Sequence, residues 1–419
     1  MDKGLKEYRQ LLVSHLPVVS FFLFLASLLL GSLQLTPVKN FGPGYEMVAI
    51  ARNLAKYGAF ANPFLALPTG PTAANPPLYP VFLWVLFKVF KYFKTVFFVA
   101  QLGCVLANAI TAALLPLVSL VLLGDVVAGI AASVLWLFAM PMMPSWDANY
   151  TVATLLFFCL LTASSIRKAR HVIISGLLSG TLAGLIFLLN PSALLIMTPW
   201  IGFLWLREPR DRTVQLLKYT LSLLLSLCLI GSVWAYRNYR ELGAFVVRTN
   251  LGMTLYASNN NCAESSLIKD EMNGCYQEYH PNVSVTEAEL LRTLGEVEYD
   301  RKRIVDTKSW ISANPNRFME LTKTRFMEFW FPPVEEFPVK MYAIWITTGL
   351  SLVGLAMMAY RREAVVLFML GVLAIYPLMY YVIVSDVRYR YPVLWISLLA
   401  AGYCIDQLIR IFSVGPHKA

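Results

Sequence analysis

Two isolated carboxylates are the groups best placed to do chemistry in this chain. Glu46 follows Pro43-Gly44, at the start of a stretch (45–57) whose Met47, Ile50, Ala51 and Leu54 fall at helical spacing. A helix N-terminus favours a carboxylate, and a loop-to-helix junction can aim one into a cleft. Asp147 lies in SWDANY (145–150), a short polar break between two apolar runs. A carboxylate partly withdrawn from water at a membrane boundary is equipped to act as a general base. Simpler roles compete: a first-turn charge on a surface helix for Glu46, a helix cap near Tyr150 for Asp147. The four histidines, His15, His171, His280 and His417, are scattered, and no Walker loop, dinucleotide fingerprint, HExxH or CxxC occurs. These absences argue against a histidine-based triad or a histidine-rich metal site, leaving carboxylates and cations.

The elements that must position these groups are membrane spans. The chain has 419 residues, 58% hydrophobic and only 14% charged, with a mean hydropathy of +0.59. A soluble domain carries about 25% charged residues, so the composition specifies an all-α polytopic membrane protein. Its net charge of +10 is spread beside the apolar runs, which points to lipid headgroups and phosphates and away from nucleic acid. The opening Lys3, Lys6 and Arg9, followed by an apolar run without a small-residue cleavage site, reads as an uncleaved anchor.

Apolar runs near spanning length fall at 17–35, 96–123, 126–143, 150–165, 172–189, 191–206, 215–235, 341–359, 364–384 and 391–412, about ten helices in all. Asn190-Pro191 divides the 172–206 region. The basic clusters IRKARH (166–171), REPRDR (207–212) and YRRE (360–363) place both termini in the cytoplasm, as an even span count requires. This organisation gives an N-terminal transmembrane module (1–235) with a first exterior loop (36–95), an exterior domain (236–338) and C-terminal transmembrane helices (339–419). The exterior domain reads as small and mostly helical, with helical patterning from Glu287 to about Trp330. In the first loop, the turn-rich run from Asn62-Pro63 to Pro76-Pro77 stiffens the return to the membrane. Lys88, Lys91 and Lys94, three residues apart, make one face of an interfacial helix over 78–95 cationic, as snorkelling anchors or as a landing strip for a lipid phosphate.

Cys104, Cys159, Cys228 and Cys404 sit in apolar runs as small core residues. Cys262 and Cys275 fall in the polar segment. If that segment is exterior, they would form a disulfide worth about 3 kcal/mol; otherwise they are free thiols.

At this point the residues carry a resemblance. Glu46 with AIARNLAKYGAFANPF, then PTGPTAANPPLYP, is similar to the first exterior loop of the GT-C glycosyltransferases. The branch is the polyprenyl-phosphate-sugar-dependent one, related to protein O-mannosyltransferases and lipid A aminoarabinose transferases. VWAYRNYRELGAFVVRTNLGMTLYASNNN (233–261) resembles the junction between a span and the exterior domain. Residues 295–330 and RYRYPVLWISLLAAG (388–402) are weaker echoes. Two departures stand out: the family's usual first-loop Asp is here Glu46, and its usual Arg-Pro is here Asn190-Pro191.

The resemblance implies a GT-C-like bundle with interfacial helices in the first loop. It also implies an enzyme of the bacterial inner membrane with a periplasmic active site, a hexosyl- or pentosyltransferase. Such an enzyme moves a sugar from a polyprenyl-phosphate donor to a glycan, lipid or protein acceptor, with inversion. The chemistry needs one base and cations for the departing lipid phosphate. Glu46 is the expected base, and Asp147 would orient the acceptor or hold a divalent metal. Arg237, Arg240, Arg248, Arg388, Arg390 and Lys88 are the phosphate candidates, of which two or three suffice. Tyr45, Tyr79, Trp146 and Asn259 are the expected sugar or acceptor contacts. The rival readings are a lipid-linked-sugar flippase and a non-catalytic accessory subunit.

Overall fold

The computed structural model describes residues 10–35, 46–139, 147–168, 171–334 and 338–413. Among the described residues the chain is all-α, 81% helical with 19 helices and no strand. The first apolar stretch forms α1 (Leu16–Ser32), and the loop after it carries α2 (Glu46–Tyr57) and α3 (Leu78–Val89). A bundle follows: α4 (Phe93–Leu123), α5 (Val127–Ala139), α6 (Asp147–Lys168), α7 (Val172–Leu189), α8 (Leu194–Arg207) and α9 (Thr213–Leu242). Smaller helices come next: α10 (Leu251–Ser258), α11 (Leu267–Met272), α12 (Cys275–Tyr279), α13 (Val285–Leu294), α14 (Glu296–Ala313) and α15 (Pro315–Trp330). Then come α16 (Pro338–Tyr360), α17 (Val365–Ile375), α18 (Leu378–Tyr381) and α19 (Tyr391–Ser413).

Among the described residues each of the ten apolar runs carries helix, but six helices reach spanning length: α4, α6, α7, α9, α16 and α19. Breaks shorten two of the others. Asn190 is extended (φ −152°) and accepts from Ser192 N, so α8 starts anew after the Pro191 turn. Pro377 separates α17 from α18. The single interfacial helix expected over 78–95 is also broken. Phe90 is extended and Phe93 opens α4, which puts Lys88, Lys91 and Lys94 on three different elements. Each is exposed, and the shared cationic face does not form.

α19 is the most buried span and packs against α5 and α16. Helices approach most closely at small residues, as expected where lipid gives no hydrophobic drive for association. A Cβ on Gly402 would lie 2.0 Å from the Ala128 carbonyl oxygen, and one on Gly180 would lie 2.2 Å from that of Leu223. Polar contacts gather several helix ends at one end of the bundle. There Arg410 pairs with Asp125 at 2.7 Å, Arg207 donates to the Val121 carbonyl and Tyr403 donates to Glu363. The starts of α2, α6 and α19 converge at the other end.

Candidate active site

Glu46 is the first residue of α2, and one of its oxygens accepts from Asn75 Nδ2 at 2.8 Å. Asn75 is held still because its loop is clamped from three directions. Arg237 donates to the carbonyls of Thr72 and Phe60 at 2.7 and 2.8 Å. Arg248 Nε donates to the Ala74 carbonyl at 2.9 Å. The Ala73 amide donates to Glu296 at 2.6 Å, and burial raises the Glu296 carboxyl above the ordinary glutamate range. Upstream, Asn62 takes a left-handed conformation (φ 54°) and exchanges hydrogen bonds with Gly70, which closes the turn. Phe64 and Ala74 pack into one cluster with Met253, Leu291 and Tyr299, so the small helices hold the loop down.

His280 reaches Glu46 from the opposite side, its Nε2 3.8 Å from the other carboxylate oxygen. It follows α12 directly and stacks on Tyr276, with ring centroids 4.6 Å apart. The Asn282 amide donates to His280 Nδ1 at 3.1 Å, so in the neutral ring the proton sits on Nε2 and points toward Glu46. Burial lowers the His280 pKa below the ordinary imidazole value; Glu46 opposes that shift and Arg388 adds to it. The ring is therefore neutral at pH 7, with Nε2 facing Glu46 beyond hydrogen-bond distance.

Arg388 ties the two carboxylates into one site. It lies in the turn before α19, its Nε 3.3 Å from Asp386, whose carboxylate also caps the turn through the Arg388 amide. Its guanidinium stacks over Tyr389 at 5.1 Å, and Tyr389 in turn stacks on Tyr380. From there it is in electrostatic range of both Glu46 and Asp147. Asp147, first residue of α6, is also in range of Arg248 and of Tyr376. Arg248 uses only Nε on the loop, and its terminal nitrogens have no hydrogen-bond partner among the described residues. The result is a set of two carboxylates, two guanidiniums, one neutral histidine and a carboxamide, drawn from five distant parts of the chain. Such a set can remove a proton and bind an oxyanion close by.

Several expected contacts lie elsewhere. Arg237 is taken up by the loop clamp and stacks against Phe60 and Trp234, so it supports the loop that carries Asn75. Arg390 is buried, donating to the Trp330 carbonyl at 2.6 Å and to Thr348 at 2.7 Å. Arg240 and Lys88 are exposed in the last turns of α9 and α3, without a contact to the Glu46 cluster. Tyr79 is buried against Phe82 and Tyr150 as a core residue. Asn259 is fully buried and clips α10 to the Val382 carbonyl at 2.9 Å, while Arg325 donates to it. Tyr45 and Trp146 lie outside the described residues. Cys262 and Cys275 are joined in a disulfide.

Asn75 and His280 were not legible as site residues. Asn75 sits inside a stretch whose prolines predict only a stiff turn, and the scattered positions of the histidines give no reason in sequence to group His280 with Glu46. The adjacent prolines offered a faint signal for Asn75; nothing marked His280. For a metal, Glu46 and His280 supply two donors. Among the described residues no group of three or more His, Cys, Asp or Glu side chains converges on one point.

No protein-family model and no curated protein matches this chain. Solved structures do. The crystal structure of the Archaeoglobus fulgidus oligosaccharyltransferase complex with Zn and sulfate aligns with 94% of this chain at a TM-score of 0.58 and 12% identity, over 50% of its own length. The archaeal oligosaccharyltransferase AglB from the same organism, in complex with an inhibitory peptide and a dolichol-phosphate, aligns with 96% at 0.56 and 13%, over 52% of its length. Its apo form aligns with 96% at 0.54 and 13%, again over 52%. The chain thus spans about half the length of these structures. At this identity the likeness is one of fold: the protein shares the architecture of the archaeal oligosaccharyltransferase over the aligned half of that structure.

Proposed function

We propose that this protein is a membrane glycosyltransferase that moves a sugar from a polyprenyl-phosphate-linked donor to an acceptor hydroxyl or amide, with inversion, at the exterior (periplasmic) face. The observation that carries the reading is the convergence of Glu46, Asp147, Arg248 and Arg388 on one end of the bundle. A flippase has no need of a fixed base beside paired cations. The fold neighbours support the donor class, since one of them was solved with a dolichol-phosphate. Another was tethered to an acceptor peptide, which keeps protein among the acceptors alongside glycans and lipids.

In this reading Glu46 takes the acceptor's proton as its oxygen or nitrogen attacks the anomeric carbon. The bond from that carbon to the phosphate oxygen breaks, and the polyprenyl phosphate leaves with the electron pair. Arg388 and the open end of Arg248 meet the added phosphate charge with bidentate geometry. Asn75 holds Glu46 in line, His280 faces it from the other side, and Asp147 orients the acceptor. A residue that accepts the proton contributes about 100- to 10,000-fold in rate. Glu46→Gln removes it while keeping the bond from Asn75 in similar geometry. With purified protein in nanodiscs and a panel of polyprenyl-phosphate sugars, release of free lipid phosphate is expected to fall by about that factor. Donor binding is expected to persist. Equal release by the variant would remove Glu46 from the mechanism.

A further inference from the structure

On the far side of the α12 segment from Glu46 lies a cavity of about 530 Å³, the size of a small-molecule site. The chain from Cys275 to Ser284 is the wall between the two. Tyr276 and His280 belong to the Glu46 side, whereas Gln277, Glu278, Tyr279 and Ser284 line the cavity. Its lining includes Tyr256, whose ring Arg303 covers on one face at 4.0 Å and Tyr279 meets edge-on at 5.4 Å. Held from two directions, these rings form a rigid aromatic surface.

The polar lining is rich in acceptors. Gln277 donates its amide to the Glu271 carbonyl at 3.1 Å, which leaves its carbonyl oxygen for a ligand. Glu278 has no cation partner among the described residues. The Ser284 hydroxyl oxygen caps α13 by accepting from the Glu287 amide, so its proton remains to be donated. Glu287 itself is neutralised by Arg303 and accepts from Tyr299 at 2.6 Å. A cavity with one uncompensated carboxylate repels phosphate, which separates it from the Arg248 and Arg388 end. Acceptor oxygens beside aromatic rings suit a donor-rich, uncharged ligand, and a polyol is the class that supplies many hydroxyl donors on an apolar ring face.

We infer that this cavity is a saccharide subsite for the non-reacting end of a glycan acceptor. The inference rests on the glycosyltransferase reading and extends it by assigning the acceptor class. A glycan longer than one residue would anchor here and present its reactive end over the α12 segment toward Glu46.

Saturation-transfer NMR on the full chain in nanodiscs tests this, with cellobiose and N,N′-diacetylchitobiose as probes. Inorganic phosphate and a short uncharged peptide serve as competitors. Gln277 and Glu278 are exposed, so their replacement spares the core. Saturable binding of a disaccharide that weakens at least tenfold in the Gln277→Ala/Glu278→Ala double variant, and is untouched by Glu46→Gln, is the expected result. Lipid-phosphate release from donor alone is expected to stay at the wild-type rate in the double variant. Absence of disaccharide binding, equal binding by the double variant, or displacement by the peptide at lower concentration than by any sugar would each overturn the assignment. If Glu46→Gln leaves release intact while the disaccharide still binds through Gln277 and Glu278, the proposed reaction fails and the saccharide site stands.

Discussion

Asn75→Asp is the sharpest probe of the candidate base, because it changes charge and almost nothing else. The two side chains are isosteric, and Asn75 is buried in a loop pinned by Arg237, Arg248 and Glu296, so the new carboxylate stays beside Glu46. The present contact is 2.8 Å. Two like charges at that separation repel by about 6 kcal/mol at an effective dielectric of ~20, and by about 1.5 kcal/mol at that of water. The Glu46 side chain is 23% exposed, so the true figure lies between these limits. One pH unit corresponds to about 1.4 kcal/mol. The pair therefore holds a shared proton, and the acidic limb of the pH–rate profile moves up by about one unit at the least. The assay is lipid-phosphate release from pH 5 to 9 for wild type, Asn75→Asp and Asn75→Ala. Asn75→Ala removes a donor that stabilises the carboxylate, worth about 1.5–3 kcal/mol, so it too moves the limb upward, but without the second titrating group that Asn75→Asp adds. An unmoved limb in Asn75→Asp would show that ionisation of Glu46 does not govern turnover, and the argument for it as the base would collapse.

The two arginines of the RYR motif are expected to part company. Arg388→Ala raises the donor concentration needed for half-maximal release at least tenfold and, by leaving Asp386 without its ion-pair partner, also lowers thermal stability. Arg390→Ala strands the Trp330 carbonyl and the Thr348 hydroxyl, costs about 3 kcal/mol, and is read as a lowered melting temperature in detergent. Breaking the Cys262–Cys275 link with Cys262→Ser removes about 3 kcal/mol by the loop-entropy account. Because Cys275 opens α12, the loss also loosens Tyr276 and His280; faster proteolysis between 262 and 284 together with reduced release is the expected pair of outcomes. Burial pushes the Asp270 carboxyl up to about 6 from its ordinary 3.8. A carboxyl raised in the folded state favours folding most where it is protonated, and that contribution is lost as pH rises through about 6. Asp270→Asn should therefore gain thermal stability over wild type at pH 7.5 and little at pH 4; an equal gain at both would contradict this.

Composition alone determined the class of this protein. With 14% charged residues the chain has too little polar surface for a soluble domain of its length, and each apolar run must satisfy its backbone internally as a helix. Within the polar segment over 236–338, the stretch from Glu287 to about Trp330 was legible as helices for the complementary reason, its charges recurring at helical spacing. Glu46 and Asp147 stood out because so few acids border the spans, and a short-range signal, the helix start, fixed both. Where the long runs break was less legible: a break at Phe90 follows from how the chain turns into α4, and residue type does not announce it.

The rest of the site was decided by tertiary structure. Six basic candidates had the same chemistry in sequence, and their roles diverged through what each one touches. Arg237 and Arg390 meet backbone carbonyls and are consumed by them, while Arg388 lies in electrostatic range of both carboxylates and Arg248 in range of Asp147. His280 and Asn75 became partners of Glu46 only because the small helices fold the 59–77 loop and the α12 segment onto one point. A hydrogen bond depends on distances of a few tenths of an ångström, whereas sequence separation carries no such information across more than 200 residues.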